Sequence, residues 1–208
     1  NSMNFDPSDE GCSLFFQLLS EYQITLIAHV GDEHSLVAGG VNNQYGDPFS
    51  YKKWLTRYPN LKIIMAHLGS EGSDPISKEP YFERTLKMLK AYPGQVYGDL
   101  SAFTSAFKRV GYLRKILHTP ELSKQLLYGS DYPVPAIRPL VKLTVALMVK
   151  NDLLPSSYDK KEIWEVFDEA YRQNPLLAGL LILRMVSYKG KKFSDKIYFE
   201  NFQNMLSN

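Results

Sequence analysis

The sequence has almost no cysteine and no long apolar run. Among its 208 residues only Cys12 carries a thiol, so an intrachain disulfide is excluded and a reducing compartment is favoured. No stretch approaches the roughly 18 apolar residues that a membrane-spanning helix needs. The longest apolar stretch, NPLLAGLLILRMVSY, is interrupted by Arg184 and predicts a core helix. We therefore expect a cytoplasmic protein with no membrane partner.

An excess of charge of one sign is also absent. The chain has 24 Lys and Arg against 22 Asp and Glu, a formal net charge of +2, so nucleic acid is not an expected partner. The first residues, NSMNFDPSDEG, are polar and rich in turn formers, which predicts no signal peptide. Because no methionine stands at position 1, we expect the natural protein to begin earlier.

Several catalytic motifs are missing. There is no glycine-rich phosphate loop, and no G-x-S-x-G nucleophile elbow, because YGSDYP shares only Gly-Ser with it. Cys12 has no histidine near it in sequence, which argues against a thiol nucleophile. The chemistry therefore has to come from other residues.

What is present is an alternation of short apolar segments with amphipathic ones. After a first helix in CSLFFQLLSEYQ, the segments ITLIAHV, LKIIMAH, QVYGDLSAF and KQLLYGSDYP are each followed by a loop and a helix, the last from about Ile137 to Lys150. This alternation predicts parallel βα units, and strands that are apolar on both faces predict burial within the sheet. Residues 158–188 predict two helices joined at Asn174–Pro175, followed by a polar tail with a short helix.

Polar residues follow the apolar runs at matching places. His29 ends the first strand, His67 ends the second, Asp99 and Ser101 lie in or at the end of the third, and Asp131 follows the fourth. Parallel strands bring such residues to one edge of the sheet. Two imidazoles and a carboxylate there suit a divalent metal of the zinc type. The alternative is structural: turn histidines at the strand ends, and Asp131 as a turn or helix cap.

The four strand segments also carry a family resemblance. LIAHVGDEH, IIMAHLGS, VYGDLSAF and LLYGSDYPVP, in this order and at this spacing, resemble the second half of an amidohydrolase-superfamily barrel, closest to the amidohydrolase-2 family of metal-dependent hydrolases and related decarboxylases. The resemblance implies an α/β fold in which residues 1–150 form strands five to eight of a TIM (β/α)₈ barrel. It leaves residues 151–208 as a helical C-terminal extension that packs on the barrel.

The resemblance also implies roles for individual residues. His29 matches a metal ligand, and His67 matches a residue that is a ligand in two-metal members and an acid/base in one-metal members. Asp131 matches an aspartate that binds metal and takes a proton from the attacking water. These roles are chemically coherent, since a metal can lower the pKa of bound water to about 7 and an adjacent carboxylate can accept the proton. Zinc is the expected cofactor.

The loops after the strands are expected to contact a small organic substrate. Glu33 and His34 follow the first strand, Glu71 follows the second and Arg138 follows the fourth. Long polar loops between strands and helices are also commonly just solvated, and that reading stays open for each of the four residues.

The departures from the family pattern matter as well. The family begins with a His-x-His pair on its first strand, and this sequence contains no His-x-His. It offers four βα units where a closed barrel needs eight. We therefore expect the C-terminal part of a longer protein, without the first-strand ligands and not a competent metalloenzyme alone. Uncovered sheet edges would favour a homodimer.

Three other interpretations remain at this stage. A metal-dependent decarboxylase of the same superfamily would use the same residues. A degenerate barrel or binding domain would keep the histidines without catalysis, and the missing His-x-His is its best support. A flavodoxin-like open sheet would also give parallel βα units, but it gives no reason for histidines at two strand ends.

Overall fold

The computed structural model describes residues 5–32, 43–101, 103, 110–131, 138–154 and 159–207. The chain forms two compact units, Asn1–Asp99 and Leu100–Asn208. No described helix is both long enough and apolar enough to cross a membrane. The expected functional division near residue 150, between barrel and extension, stays a prediction.

The first unit alternates helices with three parallel strands. Its elements are α1 (Ser13–Glu21), β1 (Leu26–His29), α2 (Lys52–Arg57), β2 (Ile63–Ala66), α3 (Tyr81–Ala91) and β3 (Val96–Asp99), with 3-10 turns at Glu10–Cys12, Asn43–Gly46, Pro48–Tyr51 and His67–Gly69. Leu26 of β1 lies opposite Ile63 of β2, which lies opposite Val96 of β3. The predicted parallel pairing is confirmed for these strands, and it brings their carboxyl ends to one edge of the sheet.

The core of the first unit joins α1 and α2 through their aromatic side chains. Phe16 of α1 stacks on Trp54 of α2 with 4.8 Å between ring centroids. The Trp54 indole N–H donates to the carbonyl of Pro7, so its polar atom is satisfied although the ring is fully buried. Ile63 and Met65 of β2 are also fully buried. Burial of each such side chain contributes about 1.5–3 kcal/mol, which fixes these elements against one another.

The expectation that the first strand is buried on both faces is wrong. Ile27 in the middle of β1 is 67% exposed, and Ile24 just before the strand is also exposed. The reason is position, because β1 is the first strand in the order of the sheet and has only β2 beside it among the described residues. Side chains two apart share a face, so the exposed Ile27 lies on the same face as His29.

The second unit is mainly helical. Its elements are α4 (Tyr112–Leu117), β4 (Leu126–Leu127), α5 (Arg138–Lys150), α6 (Lys160–Gln173), α7 (Pro175–Met185), β5 (Ser187–Tyr188), β6 (Lys191–Lys192), α8 (Lys196–Phe199) and α9 (Asn201–Ser207), with a 3-10 turn at Pro120–Gln125. The predicted helix ending at Lys150 is confirmed. So is the helix junction, where the Asn174 side chain accepts the N–H of Leu176 and Pro175 begins α7.

Two predictions in this unit need correction. The fourth strand is only two residues long, because the 3-10 turn occupies the preceding residues; within the unit, the Leu127 carbonyl accepts the N–H of Leu100. The C-terminal tail holds an antiparallel hairpin, β5–β6, and two short helices in place of one. The tail is ordered by tertiary contacts, since the buried Asn201 amide donates to the carbonyls of Ser123 and Leu126.

A glycine is required where the chain leaves β1. Gly31 has φ of +93°, a conformation that residues with a side chain avoid. A Cβ at this position would lie 2.6 Å from the carbonyl oxygen of Glu71, which is backbone and cannot move aside. Gly94 has a similar φ of +82°, but nothing lies within 4 Å of a Cβ built there.

We expect Gly31→Ala to destabilise the protein by about 2–4 kcal/mol, because it adds a clash to the unfavourable φ. Gly94→Ala is the matched control and should cost only about 1 kcal/mol, since it meets the φ penalty alone. Urea denaturation of both variants measures the difference. Equal losses would show that the contact between Gly31 and Glu71 is not tight in solution.

Candidate active site

The two strand-end histidines lie side by side in the first unit. His29 is the last residue of β1 and is opposite Ala66, the last residue of β2, so His67 follows directly at the same edge. The imidazole rings meet edge to face, with 5.3 Å between their centroids and 70° between their planes. The two histidines that end matching segments of the sequence are therefore in contact in the fold.

The backbone at His67 has an unusual conformation. His67 and Leu68 both have positive φ, 57° and 52°, which is costly for residues with side chains. Leu68 is fully buried, and its Cδ2 atom would lie only 2.1 Å from a Cβ on Gly98 of β3. The turn therefore depends on a residue without a side chain on the neighbouring strand.

Asp99 holds this turn in place. Its Oδ1 accepts the backbone N–H of His67 at 3.0 Å and lies 3.9 Å from Nδ1 of the same residue. Asp99 is the last residue of β3 and is buried. The ends of β1 and β2 thus bring the two imidazoles into contact, and the end of β3 places a carboxylate against the turn at His67.

Backbone hydrogen bonds close the loop after His29 on itself and join it to the loop after His67. The N–H of Gly31 donates to the carbonyl of Gly46 at 2.8 Å, and the N–H of Asp32 donates to the carbonyl of Glu71 at 3.2 Å. Glu71, one of the predicted substrate residues, is half-buried in the loop after β2. The two loops therefore form one connected rim beside the imidazoles.

The other predicted site residues are placed less completely. Glu33 and His34 lie outside the described residues. Arg138 is the first residue of α5 in the second unit, and its side chain is likewise outside the described part. Asp131 follows β4 in the second unit, half-buried and with φ of 49°. The predicted grouping of Asp131 with the histidines stays a prediction.

The fit of these residues to a divalent metal is partial. Two neighbouring imidazoles are a favourable start for a zinc-type ion. Among the described residues, however, no three His, Cys, Asp or Glu side chains lie together in an arrangement that would hold a metal ion. The described residues therefore provide two adjacent imidazoles but no complete set of metal ligands.

Two residues of this region gained no role from the sequence. Asp99 was recognised as a polar residue at a strand end but was given no role. Its position at the end of β3 was the signal that could have predicted its contact with the turn at His67. Arg84 of α3, whose carboxylate partners lie in the loops after β1 and β2, gave no signal because a charged residue on a helix is ordinarily solvated.

Parallel strands that alternate with helices, and that carry histidines at their carboxyl ends, define the class of an α/β protein. A model described as amidohydrolase matches residues 2–152, and the chain belongs to the amidohydrolase family. The predicted resemblance is confirmed, and so is the predicted α/β class, with parallel βα units followed by a helical C-terminal region. Membership of this family indicates a hydrolase at a coarse level. It does not identify the reaction or the metal.

One solved structure is similar in fold. It is an uncharacterized TIM-barrel protein from Bordetella bronchiseptica, 18% identical in sequence, with a TM-score of 0.49. The match covers 84% of this chain and 53% of that one, so the chain spans about half the length of the structure it matches. No curated protein matches the sequence.

We expect Asp99→Leu to disturb the turn at His67, because it leaves a buried backbone N–H without its acceptor at a cost of about 1–3 kcal/mol. Asp99→Asn is the matched control, since an amide oxygen can still accept this N–H. The measurements are the unfolding free energy and the NMR signal of the His67 imidazole. If the leucine variant left both unchanged, the turn would not depend on Asp99.

Proposed function

We propose that this chain contributes His29 and His67 to the metal site of a hydrolase that acts on a small organic substrate. The observation that carries the proposal is the contact of the two imidazoles at the ends of adjacent parallel strands, 5.3 Å between centroids. Membership of the amidohydrolase family supports the hydrolytic class. Zinc is the proposed ion, because imidazole nitrogen and carboxylate oxygen are among its preferred ligands.

The residues of the chain take different roles in this proposal. His29 binds the ion, and His67 either joins it as a ligand or stays unbound to the metal and donates or accepts a proton at the substrate. Asp131 is the proposed general base, on the strength of its motif, and would complete the ligand set. A bound zinc ion would supply Lewis acidity, which brings the pKa of a bound water to about 7.

Asp99 gives the proposed acid/base residue a fixed orientation. Because its carboxylate accepts the backbone N–H of His67, the imidazole is held by its own main chain as well as by its neighbour His29. General acid–base catalysis requires the group to stay within hydrogen-bond reach of the proton it transfers. The hydrogen bond to Asp99 supports this role, because it keeps the main chain of His67 in one place.

The proposal names the substrate by its chemical class alone. A carbonyl, lactone or amide carbon is the proposed point of attack, with Glu71 and the predicted residues Glu33, His34 and Arg138 as candidates for binding it. A decarboxylase would use the same residues to protonate a substrate carbon. Release of carbon dioxide from an aromatic or enolic acid would distinguish it from hydrolysis. The cytoplasmic location and a homodimer also remain proposals.

Zinc binding to the 208-residue chain tests the histidine pair. We expect His29→Asn and His67→Asn each to lower the zinc affinity, measured by chelator competition, by about tenfold or more, since loss of even an outer-shell partner commonly has this effect. His118→Asn is the matched control, because His118 is exposed at the end of α4 and its Nδ1 faces the carbonyl of Arg114. Equal affinity in all three variants would contradict the proposal.

Turnover tests the proposed base. In the longer protein that the sequence predicts, we expect Asp131→Asn to reduce hydrolysis of a panel of esters, lactones and amides by about 10²–10⁴-fold, the usual contribution of a general base. The sequence also predicts that residues 1–208 alone hold zinc weakly and turn over poorly. Stoichiometric zinc with normal turnover in the wild-type chain would contradict that expectation, and normal turnover in the Asp131 variant would remove its role.

A further inference from the structure

A buried arginine contacts both loops that follow the histidine pair and has no part in the chemistry described so far. Arg84 is the fourth residue of α3, and its side chain is only 11% exposed. Its Nη1 atom lies 2.5 Å from Asp47 Oδ2 and 3.0 Å from Asp74 Oδ2, and its Nε lies 3.3 Å from Glu79 Oε2. Its Nη2 donates to Ser77 Oγ at 3.0 Å. One guanidinium therefore binds three carboxylates and a hydroxyl.

These partners come from the two loops that follow the histidines. Asp47 precedes α2, in the connection from β1, and the other partners lie in the connection from β2 to α3. The guanidinium also lies over the ring of Phe49, 4.8 Å from its centroid, which adds a second contact with the first loop. Arg84 is thus a bridge between the loop after His29 and the loop after His67.

Two of the carboxylates use their oxygen atoms for different purposes. Asp47 Oδ1 accepts the N–H of Phe49, and its Oδ2 faces Arg84. Asp74 Oδ1 accepts the N–H groups of Ile76 and Ser77, and its Oδ2 again faces Arg84. One oxygen of each shapes its own turn, while the other joins that turn to the arginine.

Backbone hydrogen bonds connect the bridge with the segments that follow the two histidines. Asp47 follows Gly46, whose carbonyl accepts the N–H of Gly31, two residues after His29. On the other loop, the Gly72 carbonyl accepts the N–H of Tyr81 at the start of α3, three residues before Arg84. A displacement of either loop would therefore be passed on to the strand ends that carry the histidines.

Stability is a weak explanation for this cluster. Removing several charges from water is expensive, and well-packed apolar residues often do as well or better. The four side chains are 11–25% exposed, and three carboxylates around one guanidinium are only partly balanced by Lys87, which lies 2.5 Å from Glu79. Such a cluster is better suited to fixing one arrangement of loops than to lowering the energy of the fold.

We propose that Arg84 is a positioning residue for the His29–His67 pair, and that it fixes both following loops so that the two imidazoles keep their mutual orientation. This inference rests on the proposed function, because it assigns Arg84 to the same metal-binding pair. Its test therefore needs one measurement that requires no metal.

The test compares Arg84→Gln, Asp47→Asn and Asp74→Asn in the full chain. The two asparagine variants keep an oxygen that caps the turn and lose the ionic contact with Arg84. Arg57→Gln is the matched control, because Arg57 is an exposed arginine of the same unit whose ion pair with Glu10 involves neither loop. The metal-free measurement is the imidazole NMR signals of His29 and His67, with His118 of the second unit as internal reference.

We expect all three variants to shift the signals of His29 and His67 while His118 stays in place. Zinc affinity, measured by chelator competition, should fall by about tenfold, the usual effect of losing a group that orients a ligand. Arg57→Gln should change neither. If Arg84→Gln fails to fold, the two asparagine variants decide the matter. Arg84→Lys keeps the positive charge, so its histidine signals and zinc affinity should lie closer to those of the wild type.

The two proposals fail in different ways. Arg84 has no positioning role if both asparagine variants leave the histidine signals unshifted and the zinc affinity within twofold of wild type. The same holds if the His118 signal moves with the others, because the effect is then global. If the wild-type chain binds no zinc but the variants still shift His29 and His67, the positioning role stands and the metal site fails.

Discussion

The hydrogen bond from the His67 backbone N–H to Asp99 Oδ1 occurs where the chain leaves β2 through two left-handed residues. Each such residue costs on the order of 1–3 kcal/mol and persists only when its surroundings enforce it. Here the enforcement is shared by Asp99 and by the burial of Leu68 over Gly98. Without it the turn would relax, and the His67 imidazole would leave its place beside His29. The geometry of the histidine pair in the first unit depends on this one strained turn.

The bonds around this turn form a sequence of constraints that extends outward from the sheet. The parallel register of β1 and β2 sets which residues end the strands, and the loop hydrogen bonds then hold the next segments together. Arg84 connects those segments to α3. The strained turn at His67 and the ion-pair cluster around Arg84 are both energetically unfavourable in isolation. Their cost is offset by the apolar core around Trp54 and Met65, which a domain of this size can supply.

The sequence predicted those features that depend on local periodicity. Alternating apolar strands and amphipathic helices were enough for the parallel βα order, and Asn174–Pro175 was enough for the junction of α6 and α7. Features that depend on neighbours in space were missed. The exposure of Ile27 follows from the place of β1 in the sheet, and the position of the last helix from tertiary contacts such as those of Asn201. Neither is encoded in the spacing of apolar residues.

The same division applies to the site. His29 and His67 were predictable because a strand end is a local signal, whereas the burial of Arg84 results from the way two loops fold over a helix. Gly98 and Leu68 show the consequence most clearly, since the leucine occupies the space in which a side chain at 98 would have to stand. During evolution these two positions are not free to vary separately. A larger residue at 98 is tolerated only after 68 has become smaller, so related sequences should show the two changing as a pair.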